Sequence, residues 1–105
     1  FESLCVRDLR VYAEAIDGAV FHYRDKTGLE ADAVIVLADG RWAPIEVKLG
    51  SRQLDEAATH LRRLRERVDA DRMGEPSFLA VVTAGATAYR RDDGVLVIPL
   101  ACLRP

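Results

Sequence analysis

Cysteine, lysine and long apolar runs are all scarce in this sequence, and each scarcity closes off a class of function. The two cysteines, Cys5 and Cys102, stand at opposite ends of the chain inside apolar stretches, with no CxxC or Cys/His spacing that a zinc site would need. Both read as buried thiols in a reducing cytoplasm. No apolar run approaches the ~20 residues of a membrane span, and no basic segment with a hydrophobic stretch precedes a cleavage site. A soluble, cytoplasmic chain without a membrane partner is expected. Positive charge is not in excess either, since the formal net charge is −2. Any contact with nucleic acid must therefore come from a local basic patch. Repeats, low-complexity tracts and linkers are missing as well.

What is present is half hydrophobic residues in a chain of 105, enough for one core but not two, because a chain of this size buries roughly 60–70% of its unfolded surface. Residues 1–105 are read as a single domain. The chain starts at Phe1 without methionine and enters a helical pattern at once, which suggests a piece of a longer protein.

On a helical wheel, residues 1–16 place Phe1, Leu4, Cys5, Leu9, Tyr12 and Ile16 on one apolar arc, and the helix ends near Gly18. Glu2 and Asp8 break the pattern by projecting toward that arc. Short β-type runs follow at 20–24, 29–37 and 42–49, separated by Asp/Gly turn signals, and read as an antiparallel meander. A second amphipathic helix runs from Gln53 to about Met73 and is stopped by Gly74 and Pro76. Residues 77–83 are nearly all apolar, as in a strand buried on both faces, and 89–91 with 95–98 flank an Asp-Asp-Gly turn. The expected order is helix, three strands, helix, two strands.

Strand side chains alternate between faces, so Glu30, Asp32, Val34 and Val36 share one face of the second strand, and Glu46 and Lys48 share one face of the third. The hairpin loop decides whether these faces coincide. A two-residue turn at Asp39-Gly40 would pair Ala33 with Glu46 and point Asp32 away. A three-residue loop of Ala38, Asp39 and Gly40, with Gly40 left-handed, would pair Leu37 with Arg41 and set Asp32 across from Glu46. The second register is expected, because it keeps Ile35 and Leu37 on the same face as Ile45 and Val47. Two carboxylates on facing positions repel unless a cation lies between them. Oxygen ligands with room for waters and a phosphate suit Mg²⁺ or Mn²⁺ rather than zinc.

Asp32 in GLEADAVI, then Glu46-Val47-Lys48 in APIEVKLG, then a helix, resembles the split Asp…Glu-x-Lys signature of the PD-(D/E)xK nuclease superfamily. The element order is similar to its αβββαβ core, an α/β (α+β) architecture with a mixed central sheet flanked by helices. FESLCVRDLR, FHYRDKTGLEADAV and PIEVKLG further resemble the C-terminal domain of unknown function that follows an AAA-type ATPase module in many prokaryotic proteins. This second likeness covers nearly the whole chain, although no Walker motif is present. The resemblance implies a metal-dependent nuclease-like domain. In it Asp32, Glu46 and the Val47 carbonyl would bind Mg²⁺ or Mn²⁺, Lys48 would orient or deprotonate the attacking water, and Glu2 of the first helix would join the site. It also implies an N-terminal ATPase module as partner, a nucleic-acid substrate and, for most of the superfamily, a 5′-phosphate product.

Other readings stand beside this one. Alternating charges on a half-exposed strand can form a plain cross-strand salt bridge, and Lys48 can merely neutralise two buried carboxylates. Domains of one fold can keep site residues yet serve as docking modules. A small dimerisation domain with no polar site is a third alternative, under which Asp32→Ala would not lower stability. Thirteen of the fifteen basic residues are arginine, so Lys48 two positions after Glu46 stands out as a compact ammonium. Gln53 opens the second long helix just after the site strand, where nucleases of the resembled superfamily sometimes place a glutamine near the phosphate. Arg52, Arg62, Arg63 and Arg67 could form a basic patch, but Arg62 to Glu66, Arg65 to Asp69 and Arg67 to Asp71 are spaced as ordinary surface pairs. Asp8 is expected to pair with an arginine. His22 and His60 have no metal-ligand spacing and read as structural, Trp42 reads as a packing residue, and parity alone leaves the facing of Tyr23 and Arg24 open.

Overall fold

A computed structural model describes residues 1–24, 30–67 and 74–103, with the side chains of Glu2, Ser3 and Ser51 outside the described part. The elements are α1 (Glu2–Ala15), β1 (Gly18–Arg24), β2 (Glu30–Leu37), β3 (Trp42–Lys48), a 3-10 turn at Ser51–Gln53, α2 (Leu54–Arg67), β4 (Ala80–Thr83), β5 (Tyr89–Arg90), β6 (Leu96–Pro99) and a 3-10 turn at Leu100–Leu103. The six strands form one mixed sheet in the order β1-β2-β3-β4-β6-β5. The first three strands are antiparallel neighbours, β4 lies parallel to both β3 and β6, and β5 returns antiparallel to β6. The architecture is α+β, with a mixed sheet and a helix on each face.

Where chain length predicts a single core, a separate apolar cluster lies on each face of the sheet. Cys5, Leu9 and Ala13, spaced four apart on α1, pack with Ala33, Ile35, Ile45, Val47, Ala80 and Val82. On the other face Leu54, Ala57, Ala58 and Leu61 of α2 pack with Leu79, Val81, Val95 and Val97, and Leu64 joins Ala31, Val34 and Trp42. Because β3 and β4 are parallel, the chain between them must cross over, and α2 is that crossover, lying on the Glu46 face.

Two hairpins share one turn chemistry. In β2–β3 the Leu37 amide donates to the Arg41 carbonyl at 2.8 Å, the Gly40 amide donates to Leu37 at 3.0 Å, and Gly40 has φ +91°. In β5–β6 the Arg91 amide donates to Val95 at 2.9 Å, Gly94 donates to Arg91 at 2.9 Å, and Gly94 has φ +87°. Each loop reads X-Asp-Gly. The aspartate accepts from the amide two residues on, Asp39 Oδ1 from Arg41 at 3.0 Å and Asp93 Oδ1 from Val95 at 3.1 Å. The three-residue loop at 38–40 is the expected one, and Ala33↔Ile45, Val34↔Pro44, Ile35↔Ala43 and Val36↔Trp42 follow from it.

Several expectations need correction. Three strands follow α2 rather than two, since both arms of the last hairpin pair. The strand expected over 77–83 is confined to 80–83, where β6 and β3 both lie alongside. Phe1, Tyr12 and Ile16 are exposed at 41, 42 and 44%, because the sheet covers only the Cys5–Leu9–Ala13 stripe of a broader apolar arc. Cys5 is buried as expected, but Cys102 is exposed, since the closing 3-10 turn points it outward despite its apolar neighbours. The proposed extension of α2 from Arg67 to Met73, with Asp69 and Asp71 on it, lies outside the described residues. Trp42 is buried, and its Nε1 donates to the Gly74 carbonyl at 3.1 Å. No helix among the described residues is long and apolar enough to cross a membrane.

Candidate functional site

The strand alternation that puts Ile45 and Val47 against α1 puts Glu46 and Lys48 on the α2 face, and the 38–40 loop brings Asp32 to that same face. All three line one cleft of about 610 Å³. Asp32 was expected directly across from Glu46. The register agrees, but the ladder stops one pair short, at Ala33↔Ile45. Beyond it β2 stays with β1 through Tyr23↔Ala31 and Arg24↔Glu30, and β3 stays with β4 through Glu46↔Val81 and Lys48↔Thr83. The sheet forks at this point, and the Asp32 side chain bridges the fork, its Oδ2 accepting from the Val47 amide at 2.7 Å. In a continued ladder that amide would have bonded to the carbonyl of Ala31.

Glu46 is the buried member, its side chain 7% exposed. The His60 imidazole reaches it from α2, with Nε2 at 3.1 Å from Oε1. The same Nε2 also contacts the main-chain carbonyl of Glu30. Both neighbours of Nε2 are acceptors, so Nε2 carries the hydrogen. The Glu30 carboxylate in turn meets His22 Nε2 at 3.3 Å. His60, which the sequence presents as structural, lines the cleft. The signal was on the α2 wheel, where Glu56, His60 and Arg63 form one stripe beside the buried Ala57, Leu61 and Leu64. Reading it required knowing that α2 covers the Glu46 face.

Arg52 and Gln53, expected near a phosphate, sit exposed in the 3-10 turn and do not line the cleft, whereas Arg63 does. The physical reason is helical phase: one turn into α2, the chain has risen over the sheet and presents the Glu56–His60–Arg63 stripe to the fork. Glu2 lies in α1, whose buried stripe packs on the opposite face of the sheet from Asp32 and Glu46. Its side chain is outside the described part. Asp8 pairs with Arg7, Nε to Oδ1 at 3.9 Å. Tyr23 keeps the parity of Phe21 and packs with Ala31, Val34, Trp42 and Leu64 on the site face; the extra residue lies on β2, where Asp32 and Ala33 stand opposite His22 and Ala31 comes to the Tyr23 face. Arg62 turns toward Asp93, Nε to Oδ2 at 3.7 Å.

Asp32, Glu46 and the Val47 carbonyl make an all-oxygen donor set. Residues of a β-strand direct N–H and C=O to the same side, so the Val47 carbonyl opens toward β2 at the fork. Among the described residues no three His, Cys, Asp or Glu side chains cluster as a metal cage. Mg²⁺ does not require one, since it keeps several waters and accepts one or two carboxylates beside a phosphate. The residues present fit such an ion and do not fit zinc.

Ionisations are also displaced outside this constellation. The Arg41 amide and guanidinium hold the Asp39 carboxyl below its ordinary range, the amide contributing most. The Arg91 guanidinium is raised, first by its hydrogen bond to Asp55 at 2.7 Å and also by Asp93. This pair ties α2 to the β5–β6 hairpin.

The model of one family, Domain of unknown function (DUF4143), matches residues 1–103, and the chain belongs to that family. No curated protein and no solved structure matches.

Proposed function

We propose that this member of the DUF4143 family has a PD-(D/E)xK-type nuclease core and hydrolyses nucleic-acid phosphodiesters with Mg²⁺ or Mn²⁺. The observation that carries the reading is the meeting of Asp32, Glu46 and Lys48 in one cleft, with Asp32 bonded to the Val47 amide. The αβββαβ order from α1 to β4, the 3-10 turn aside, supports it.

Asp32, Glu46 and the Val47 carbonyl would hold the cation, which when bound lowers the pKa of water and offsets charge on the scissile phosphate. Lys48, two residues along the same strand face, would orient the attacking water or take its proton. Glu2 would be the auxiliary carboxylate that the superfamily resemblance implies. Arg63 is the guanidinium best placed for a phosphate, with Arg52 and Gln53 further out. The domain would work in the cytoplasm, appended to an AAA-type ATPase module.

A second reading has its own support. Glu30, Asp32, Glu46, Asp55 and Glu56 line the cleft against Lys48 and Arg63, an acidic balance that repels phosphate until a cation enters. A non-catalytic module that docks an ATPase onto DNA or a protein would tolerate that balance. Plasmid and single-stranded DNA incubated with Mg²⁺ or Mn²⁺ separate the two. Cleavage lost in Glu46→Ala and Lys48→Ala supports the nuclease, and no cleavage with either metal leaves docking.

A further inference from the structure

We propose that His60 is a positioning residue whose Nε2–H holds the Glu46 carboxylate in the orientation that receives the cation. The inference rests on the metal-site reading above and adds to it a residue from outside the Asp…Glu-x-Lys pattern.

The two carboxylates of the cleft have different needs. Asp32 has a short side chain and is fixed by the Val47 amide at 2.7 Å. Glu46 has one more rotatable bond, and its strand fixes only where the side chain starts, not how its carboxylate plane turns. Its main-chain neighbours across the sheet are apolar on the β4 side, where it pairs with Val81. His60 supplies what the strand cannot. Its Nε2 lies 3.1 Å from Glu46 Oε1, and the contact of the same atom with the Glu30 carbonyl anchors the ring to β2. The imidazole thus ties α2 to both arms of the fork, β2 through a carbonyl and β3 through a carboxylate. Asp32 thus accepts from a main-chain amide, and Glu46 meets an imidazole. Hydrogen-bond partners that orient a ligating carboxylate contribute about 10–100-fold to metal affinity.

The test is calorimetric titration of Mg²⁺ into the 105-residue chain, with the metal-free unfolding midpoint measured for each variant. His60→Ala is expected to weaken Mg²⁺ binding about 10–100-fold. His60→Gln, whose amide N–H reaches about as far as Nε2, is expected to restore most of the affinity, and His60→Asn, one methylene shorter, is not. If His60→Ala does not fold, the Gln and Asn variants carry the same comparison. Equal affinity in wild type and His60→Ala, or in the Gln and Asn variants, overturns the role of His60 while leaving the metal site standing. Absence of Mg²⁺ binding by the wild type removes the metal site and this inference together.

Discussion

The Val47 amide donates to Asp32 Oδ2 at 2.7 Å, in the place where the Ala31 carbonyl would stand had β2 and β3 remained paired. A side chain thus replaces a rung of the ladder at the point where the sheet divides. The substitution joins fold and site. The fork opens space between two central strands, and the residue that satisfies the orphaned amide is the same carboxylate that faces Glu46. Buried amides are seldom left unpaired, so a fork at this position needs an acceptor on β2 at residue 32.

Replacing that acceptor should therefore cost stability. Asp32→Ala leaves the Val47 amide, in a residue only 7% exposed, without its partner, and a loss of about 1–3 kcal/mol is expected in urea unfolding. Asp32→Asn keeps an acceptor oxygen and should lose less. Equal or higher stability of the alanine variant would favour the alternative of a domain without a polar site.

Magnesium should act through the same carboxylates. At a concentration near 100 times its Kd the ion is expected to raise wild-type stability by about 2.7 kcal/mol, and Glu46→Ala should show none of this gain. Thermal unfolding with and without Mg²⁺ reads both. A gain of equal size in the mutant would place the ion elsewhere.

The register of the site strands depends on Gly40. Its φ is +91°, and a Cβ built there would meet nothing within 4 Å, so the cost of a side chain is conformational rather than steric. Gly40→Ala is expected to lose about 1–2 kcal/mol. The same measurement on Gly50→Ala, also open but without a positive φ, should show a smaller effect.

The Asp39 carboxyl, lowered chiefly by the Arg41 amide, predicts a stability change in acid. A depressed carboxylate contributes stability that is complete well above its ordinary value of 3.8 and is lost as pH falls through the lower folded value. The stability difference between wild type and Asp39→Asn should accordingly shrink as pH falls below 3.8. A difference that stays constant between pH 5 and pH 2 would show that this carboxyl is not depressed.

Much of the frame was legible in residues close together in the chain. Ala38-Asp39-Gly40 set the loop length, the loop set the parity, and parity carried Asp32 to the face of Glu46 and Lys48. The helical stripe Cys5–Leu9–Ala13 and the stripe Leu54–Ala57–Ala58–Leu61 were likewise readable from spacing. His60 was not. Its importance comes from contact with Glu46, fourteen residues away in sequence, and with Glu30 on another strand. Nothing near His60 announces either partner. Parity left the facing of Tyr23 open because it carries no register, and the bulge at Asp32 and Ala33 that brings Ala31 to its face has no glycine or proline to mark it. The exposure of Cys102 follows from a 3-10 turn, whereas its apolar neighbours point to a buried thiol.

Local torsional chemistry, the left-handed glycine of the hairpin and the two-residue repeat of a strand, was enough to align the acidic residues, because it acts over a few bonds. The tertiary structure alone decided that the strands part beyond Ala33, that Asp32 closes the gap, and that α2 brings His60 and Arg63 rather than Arg52 to the cleft. Those outcomes depend on which buried surfaces meet across the sheet, and no neighbouring residue records that choice.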